Sequence, residues 1–131
     1  MPFDFAPDLA ETRRLRGKRA HLSGLAAEAG VERHYLQLGQ KVLARRWRGL
    51  SGEIDLVFDG PEGLIFVEVK CAPTHDLAAE RLDAAQRDRI CLAVEEYVDQ
   101  VLGQPFIDRH YHLATVDGTG QVAIRDDFFL P

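Results

Sequence analysis

The residue pattern predicts an α/β protein built on a mixed sheet with helices on its faces. Three observations carry this. Two long helical stretches, 13–38 and 76–102, bracket three short β-rich runs, and two further β-rich runs follow the second helix. A three-strand meander joined to later strands through a crossover helix gives a sheet of mixed sense, about five strands wide.

Each element has its own signal. In the first helical stretch Leu22, Leu25, Ala26, Ala29 and Leu36 recur at three- and four-residue spacing and make one apolar face, and Gly39 supplies a stop. The runs 41–48, 53–59 and 64–71 are rich in Val, Ile, Leu, Phe and Trp. Gly49, Gly52 and the turn Asp59-Gly60-Pro61-Glu62-Gly63 separate them. In the second helical stretch Ile90, Ala93, Val94, Tyr97, Val98, Val101 and Leu102 fall on one face, closed by Gly103 and Pro105. The last two strands, 110–116 and 121–125, are joined by a turn at 117–120.

At 131 residues, 46% hydrophobic and 28% charged, the chain has the balance of one globular domain, with 1–19 as a basic extension running into the first helix. No apolar stretch reaches the ~20 residues of a membrane-spanning helix, and residues 1–20 hold no secretory-type apolar segment, so the cytoplasm is the expected compartment. Cys71 and Cys91 are expected as free thiols there. The net charge of −5 argues against a non-specific nucleic-acid coat. Basic residues nevertheless concentrate in 13–19 and 41–48, either as a landing patch for a polyanion or as solvated faces.

The chemistry-bearing segment is Gly52-Glu53-Ile54-Asp55-Leu56 followed by Phe66-Val67-Glu68-Val69-Lys70. Side chains alternate along a strand, so Glu53 and Asp55 share a face, as do Glu68 and Lys70. If Asp59 pairs with Leu64, the same register sets Asp55 opposite Glu68 and Glu53 opposite Lys70, while Ile54, Leu56, Val67 and Val69 point the other way. Facing carboxylates repel unless a cation lies between them. A hard divalent ion suits two carboxylates, with the Val69 carbonyl as a further oxygen ligand. Lys70 is then placed to position or deprotonate an attacking water. The plainer alternative is that Lys70 pairs with Glu53 and Glu68 on a wet sheet face.

These two motifs, with Gly24, Glu28 and Tyr35-Leu36 upstream, resemble the YraN family of small bacterial proteins, itself similar to PD-(D/E)xK nucleases and Holliday-junction resolvases. The resemblance spans roughly residues 20–115. It implies a restriction-endonuclease-like three-layer α/β/α fold and a metal-dependent endonuclease acting on branched or single-stranded DNA. Asp55 and Glu68 would hold Mg²⁺ or Mn²⁺, Lys70 would be the catalytic lysine and Glu28 an additional acid near the metal. Glu53 belongs to the motif, either supporting the ligands or paired with Lys70. Gln86 stands where the family usually carries a basic residue. A homodimer is expected, because a branched substrate is symmetric. The rival expectation is a catalytically inactive nucleic-acid-binding or protein-interaction domain on the same fold.

Arg45, Arg46 and Arg48, with Lys18 and Arg19, are the phosphate-contact candidates. His110 and His112 share a strand face, as a transition-metal pair or as surface and core-edge histidines. His75 is expected as a loop residue within reach of a phosphate, and Trp47 as core or as a base-stacking platform.

Overall fold

The computed structural model describes residues 9–104 and 106–126, and the side chains of 20–22 fall outside that description. The order is α1 (Leu9–Gln37), β1 (Lys41–Arg48), β2 (Glu53–Gly60), β3 (Gly63–Cys71), α2 (His75–Glu80), α3 (Ala84–Tyr97) with a π-helical turn Val98–Leu102, β4 (Arg109–Val116) and β5 (Val122–Asp126). The strands run in spatial order β1-β2-β3-β4-β5. Only β3 and β4 are parallel; the other pairs are antiparallel. This is the expected five-stranded mixed sheet, with every strand within one residue of its predicted bounds.

Helices cover both faces and make three layers. On one face Ala27, Val31 and Tyr35 of α1 pack on Leu56, Phe58, Ile65, Val67, Ala114 and Val116. On the other, Ile90, Ala93, Val94 and Tyr97 of α3 pack on Ile54, Val57, Leu64, Phe66 and Leu113. Tyr35 stacks on Phe58, and Tyr97 meets Phe66 and Trp47 edge-on.

Two expectations are corrected. The buried stripe of α1 is Ala27, Val31 and Tyr35, at i, i+4 and i+8. Leu25, Ala26, Ala29 and Leu36 of the predicted stripe are exposed on the opposite side, and the Leu22 side chain is outside the described residues. The helix carries two apolar stripes, and the sheet takes the one bearing the aromatic ring. The second helix is divided. Asp83 caps a new start by accepting a hydrogen bond from the Gln86 N–H at 2.7 Å, and Thr74 caps α2 through Leu77. At its far end Gly103, left-handed at φ 63°, closes the π-helical turn, while Pro105 is outside the described residues.

The β2–β3 hairpin positions the site. Its ladder runs from Gly60↔Gly63 through Asp59↔Leu64 to Leu56↔Val67. Gly63 has φ +131°, and a Cβ there would lie 2.4 Å from the Asp108 carbonyl oxygen, so only glycine fits this turn.

Candidate active site

Past Leu56↔Val67 the two strands part. Asp55 and Glu68 are therefore not a ladder pair, and Glu53 does not stand opposite Lys70 as the register extrapolation predicts. The cause lies in β1 and β2. Arg46, beside Asp55 in the β1–β2 register, takes a left-handed φ of 50°, and Ile54 and Leu56, two residues apart, pack into opposite cores. A regular strand would send both to one face. The backbone instead twists at Asp55, and Ile54 leaves the face it was expected to share with Leu56, Val67 and Val69. Local breaks of this kind re-aim side chains next to functional sites.

The twist turns Asp55 toward the edge of β3, where its Oδ2 accepts the Val69 N–H at 2.8 Å. In a strand the N–H and C=O of one residue point to the same side, so the Val69 carbonyl also faces the gap. Glu68 is 5% exposed. Its Oε1 accepts a hydrogen bond from Gln86 Nε2 at 3.3 Å and lies 3.3 Å from Lys70 Nζ. All five predicted catalytic residues (Glu28, Glu53, Asp55, Glu68 and Lys70) line a single cavity of about 320 Å³ with Val69.

Burial dominates the electrostatics. It pushes the Glu68 carboxyl up to about 8, with the neighbouring Asp55 charge adding to it and Lys70 opposing. Burial also lifts Asp55 to about 6, against the stabilising Val69 N–H. Burial and mutual repulsion thus outweigh Lys70 and favour a proton on the pair. That is the condition a divalent cation relieves, and two carboxylates, one carbonyl and open space for water are an Mg²⁺-type donor set. Among the described residues no three His, Cys, Asp or Glu side chains gather as a metal cluster, so the carbonyl and water would complete the shell.

The arginines fall differently from a free patch. Arg45 forks onto Glu32, Arg46 Nε donates to Glu28 at 2.9 Å, and Arg48 lies 3.3 Å from Glu53. Lys18 and Arg19 are exposed on α1. Glu28 thus reaches the cavity rim already paired, and Glu53 is held by Arg48 rather than by Lys70.

Arg89 and Glu96 escaped the sequence reading. Arg89, one turn beyond Gln86 on α3, lines the cavity; its signal was the i, i+3 spacing from Gln86. Gly52 lets α3 approach, since a Cβ there would lie 3.1 Å from the Arg89 carbonyl oxygen. Glu96 accepts the Leu50 and Ser51 N–H groups at 2.7 and 2.6 Å and clamps the β1–β2 turn, and those bonds hold its carboxyl below the usual range. No local pattern marks Glu96.

His75, His110 and His112 each have partners within the fold. His112 Nδ1 meets the Tyr35 hydroxyl at 2.7 Å and its Nε2 lies 3.3 Å from Asp126, and His110 bonds the Glu62 carbonyl. His75 opens α2, 2.8 Å from Thr115 Oγ1 and 3.6 Å from Asp117. That hydroxyl–imidazole–carboxylate line looks like a nucleophile relay, but Thr115 is wholly buried and no substrate reaches it. Trp47 packs against the α3 core cluster.

The fold and site define an α/β/α protein whose splayed hairpin holds one buried and one half-buried carboxylate beside a lysine. The model of the uncharacterised protein family UPF0102 matches residues 27–119, and the chain belongs to that family, the YraN family its motifs resemble. It is 43% identical over 121 residues to a UPF0102 protein of Dinoroseobacter shibae, covering 92% of this chain and 90% of the relative. It is 42% identical over 117 residues to one from Cereibacter sphaeroides (88% and 98%) and 40% identical over 114 to one from Ruegeria pomeroyi (87% and 93%). These names carry no activity. Among the described residues no helix is long and apolar enough to cross a membrane.

Proposed function

We propose that the protein is a metal-dependent endonuclease that hydrolyses phosphodiester bonds in branched or single-stranded DNA. The observation that carries the reading is Glu68: a carboxyl 5% exposed, forced against a second carboxyl, at the wall of an open cavity. Such an arrangement destabilises a fold and is characteristic of functional sites. Asp55, Glu68 and the Val69 carbonyl would hold Mg²⁺ or Mn²⁺. When bound, the ion supplies Lewis-acid stabilisation of charge on the phosphate and lowers the pKa of water.

The chain's own groups do the rest. Lys70, 3.3 Å from Glu68, orients the attacking water and offsets charge on the phosphate oxygens. Gln86 holds the Glu68 carboxylate, fixing the direction of its free oxygen. Arg89 at the rim is a phosphate contact, and Glu28 with Arg46 closes the α1 side. Arg45, Arg46 and Arg48 contribute to DNA binding only as far as phosphate replaces their glutamate partners, with Lys18 and Arg19 as contacts farther out. A second copy of the chain is the partner a two-fold symmetric junction calls for.

The test is cleavage of labelled duplex, single strand, flap and four-way junction in Mg²⁺ or Mn²⁺, with wild type beside Glu68→Ala and Lys70→Met. Wild type should cut, and each variant should lose at least about a hundredfold in rate while keeping its circular dichroism spectrum. Binding without cleavage by any protein would replace this reading with the inactive binding domain.

A further inference from the structure

A second cavity, about 540 Å³, is larger than the acidic one and lies on the other side of β3. Cys71 at the end of β3 and Val116 at the end of β4 both line it, so it opens at the carboxyl ends of the two parallel strands. Open α/β sheets bind ligands in that position. Ala27 and Gly30 of α1 form one wall and the β4–β5 turn another.

Its distinguishing feature is charge. Arg33 of α1 and Arg81 at the end of α2 both line it. Arg45, Arg46, Arg48, Arg109 and Arg125 are each bound to a glutamate or aspartate. Arg33 and Arg81 have no such partner among the described residues. Both are exposed, and a Cβ on Gly30 would sit 3.6 Å from Arg33 Nη2, so that guanidinium lies beside the bare helix backbone along the cavity wall. One acid also lines the space, Asp117. Its Oδ1 already accepts Thr119 N–H, Thr119 Oγ1 and Gln121 N–H, at 2.7–2.9 Å, and its Oδ2 faces His75. The turn meets that charge internally and leaves the two guanidiniums to an outside anion.

We propose that this cavity is a phosphate-ester site gripped by Arg33 and Arg81. Two guanidinium forks suit the several oxygens of a phosphate, and the space is of the size that takes a nucleotide. Ala27 and Val116 supply apolar contact for the ester's organic part, and the Ser23 hydroxyl is a further donor. The phosphate arrives either on a free nucleotide or as a backbone phosphodiester of a nucleic acid. The site depends on no cleavage chemistry, so it stands apart from the nuclease reading.

The experiment is an amide ¹H–¹⁵N titration of the full chain with inorganic phosphate, a deoxynucleoside monophosphate and a short single-stranded DNA, all without divalent metal. Gly30, Gly118 and Gly120 report on the cavity. Their amides should shift in wild type and equally in Glu68→Gln, and Arg33→Ala or Arg81→Ala should each weaken binding about tenfold. Saturation by the mononucleotide assigns a nucleotide site; shifts with DNA alone assign a backbone contact. No shift with any probe, or shifts unchanged in the doubly substituted protein, would overturn the proposal. Absence of nuclease activity in wild type would leave these shifts intact, so the two readings fail separately.

Discussion

The two ends of the β2–β3 hairpin are built from the same pair of strands and behave in opposite ways. At the turn end, Leu56 to Gly60 pair in unbroken register with Gly63 to Val67, and their side chains alternate between two apolar cores. At the open end, Asp55 and Glu68 follow immediately and the ladder stops. Apolar cross-strand pairs hold the first part together, whereas facing acids contribute repulsion and desolvation. The left-handed Arg46 and the switch of Ile54 to the α3 face make the parting a built feature of the backbone. Stability resides at one end, and the candidate chemistry occupies the end where regular pairing fails.

The sharpest way to break this contrast is to damage each end in turn. Phe58 is wholly buried against Tyr35 at the closed end. Phe58→Ala should lose about 3–5 kcal/mol of unfolding free energy, read by urea denaturation. Glu68→Gln at the open end should do the reverse. It removes a buried carboxyl whose ionisation burial and Asp55 oppose while keeping an acceptor for Gln86 and Lys70, so the denaturation midpoint near neutrality should rise although cleavage is lost. A midpoint falling as far as that of Phe58→Ala would show that the two ends do not differ in kind.

Next in size is the turn. Gly63→Ala sets a Cβ against the Asp108 carbonyl at a left-handed φ, and should destabilise by about 1–3 kcal/mol. Catalytic rate per folded molecule should be unchanged, measured below the unfolding transition. A selective loss of rate would mean that strain at the turn travels along the hairpin to the acids.

The pH dependence separates the ends without strain. Glu68 is raised from 4.5 to about 8 and Asp55 from 3.8 to about 6, so the folded metal-free protein binds more protons than the unfolded chain across this interval. Its stability should therefore fall as pH rises from about 4.5 to about 8, relative to Glu68→Gln at each pH. Mg²⁺ should reverse the trend. Ionised acids bind it better, so the shift in midpoint that it produces should grow with pH over the same range, checked by thermal melts with and without metal. A parallel pH course for wild type and variant would remove burial of Glu68 as the source of the site's electrostatics.

Much of this was legible in the sequence, and the part that was not has a physical reason. The strands announce themselves through β-branched and aromatic runs bounded by glycine, which depend on neighbours only locally. The pairing Asp59↔Leu64, supposed from the turn at 60–63, is the one that forms. Extrapolating that register past Leu56 failed because the break arises from a third strand, at Arg46. The face of α1 failed likewise: Leu25 and Leu36 satisfy the spacing rule as well as Val31 and Tyr35 do, and only the partner surface chooses. The ion pairs of Arg45 and Arg46 join residues 13 and 18 positions apart across two elements, beyond any local pattern.

The smallest effect concerns a helix boundary that the sequence itself marks. Asp83-Ala84-Ala85-Gln86 has the capping-box form, an acceptor followed three residues later by Gln, inside what periodicity alone reads as continuous helix. Here the cap bond runs from the Gln86 N–H to Asp83, and the Gln86 side chain turns away to Glu68. Asp83→Ala should lose about 1 kcal/mol, as N-cap removal does. It should also loosen Gln86 and so reach the open end of the hairpin, raising the Mg²⁺ concentration needed for half-maximal stabilisation. Asp83→Asn restores the cap acceptor without the charge and should recover both properties. Failure of Asn to recover the metal response would show that α3 positions Gln86 through its packing on β2, with the cap serving the helix alone.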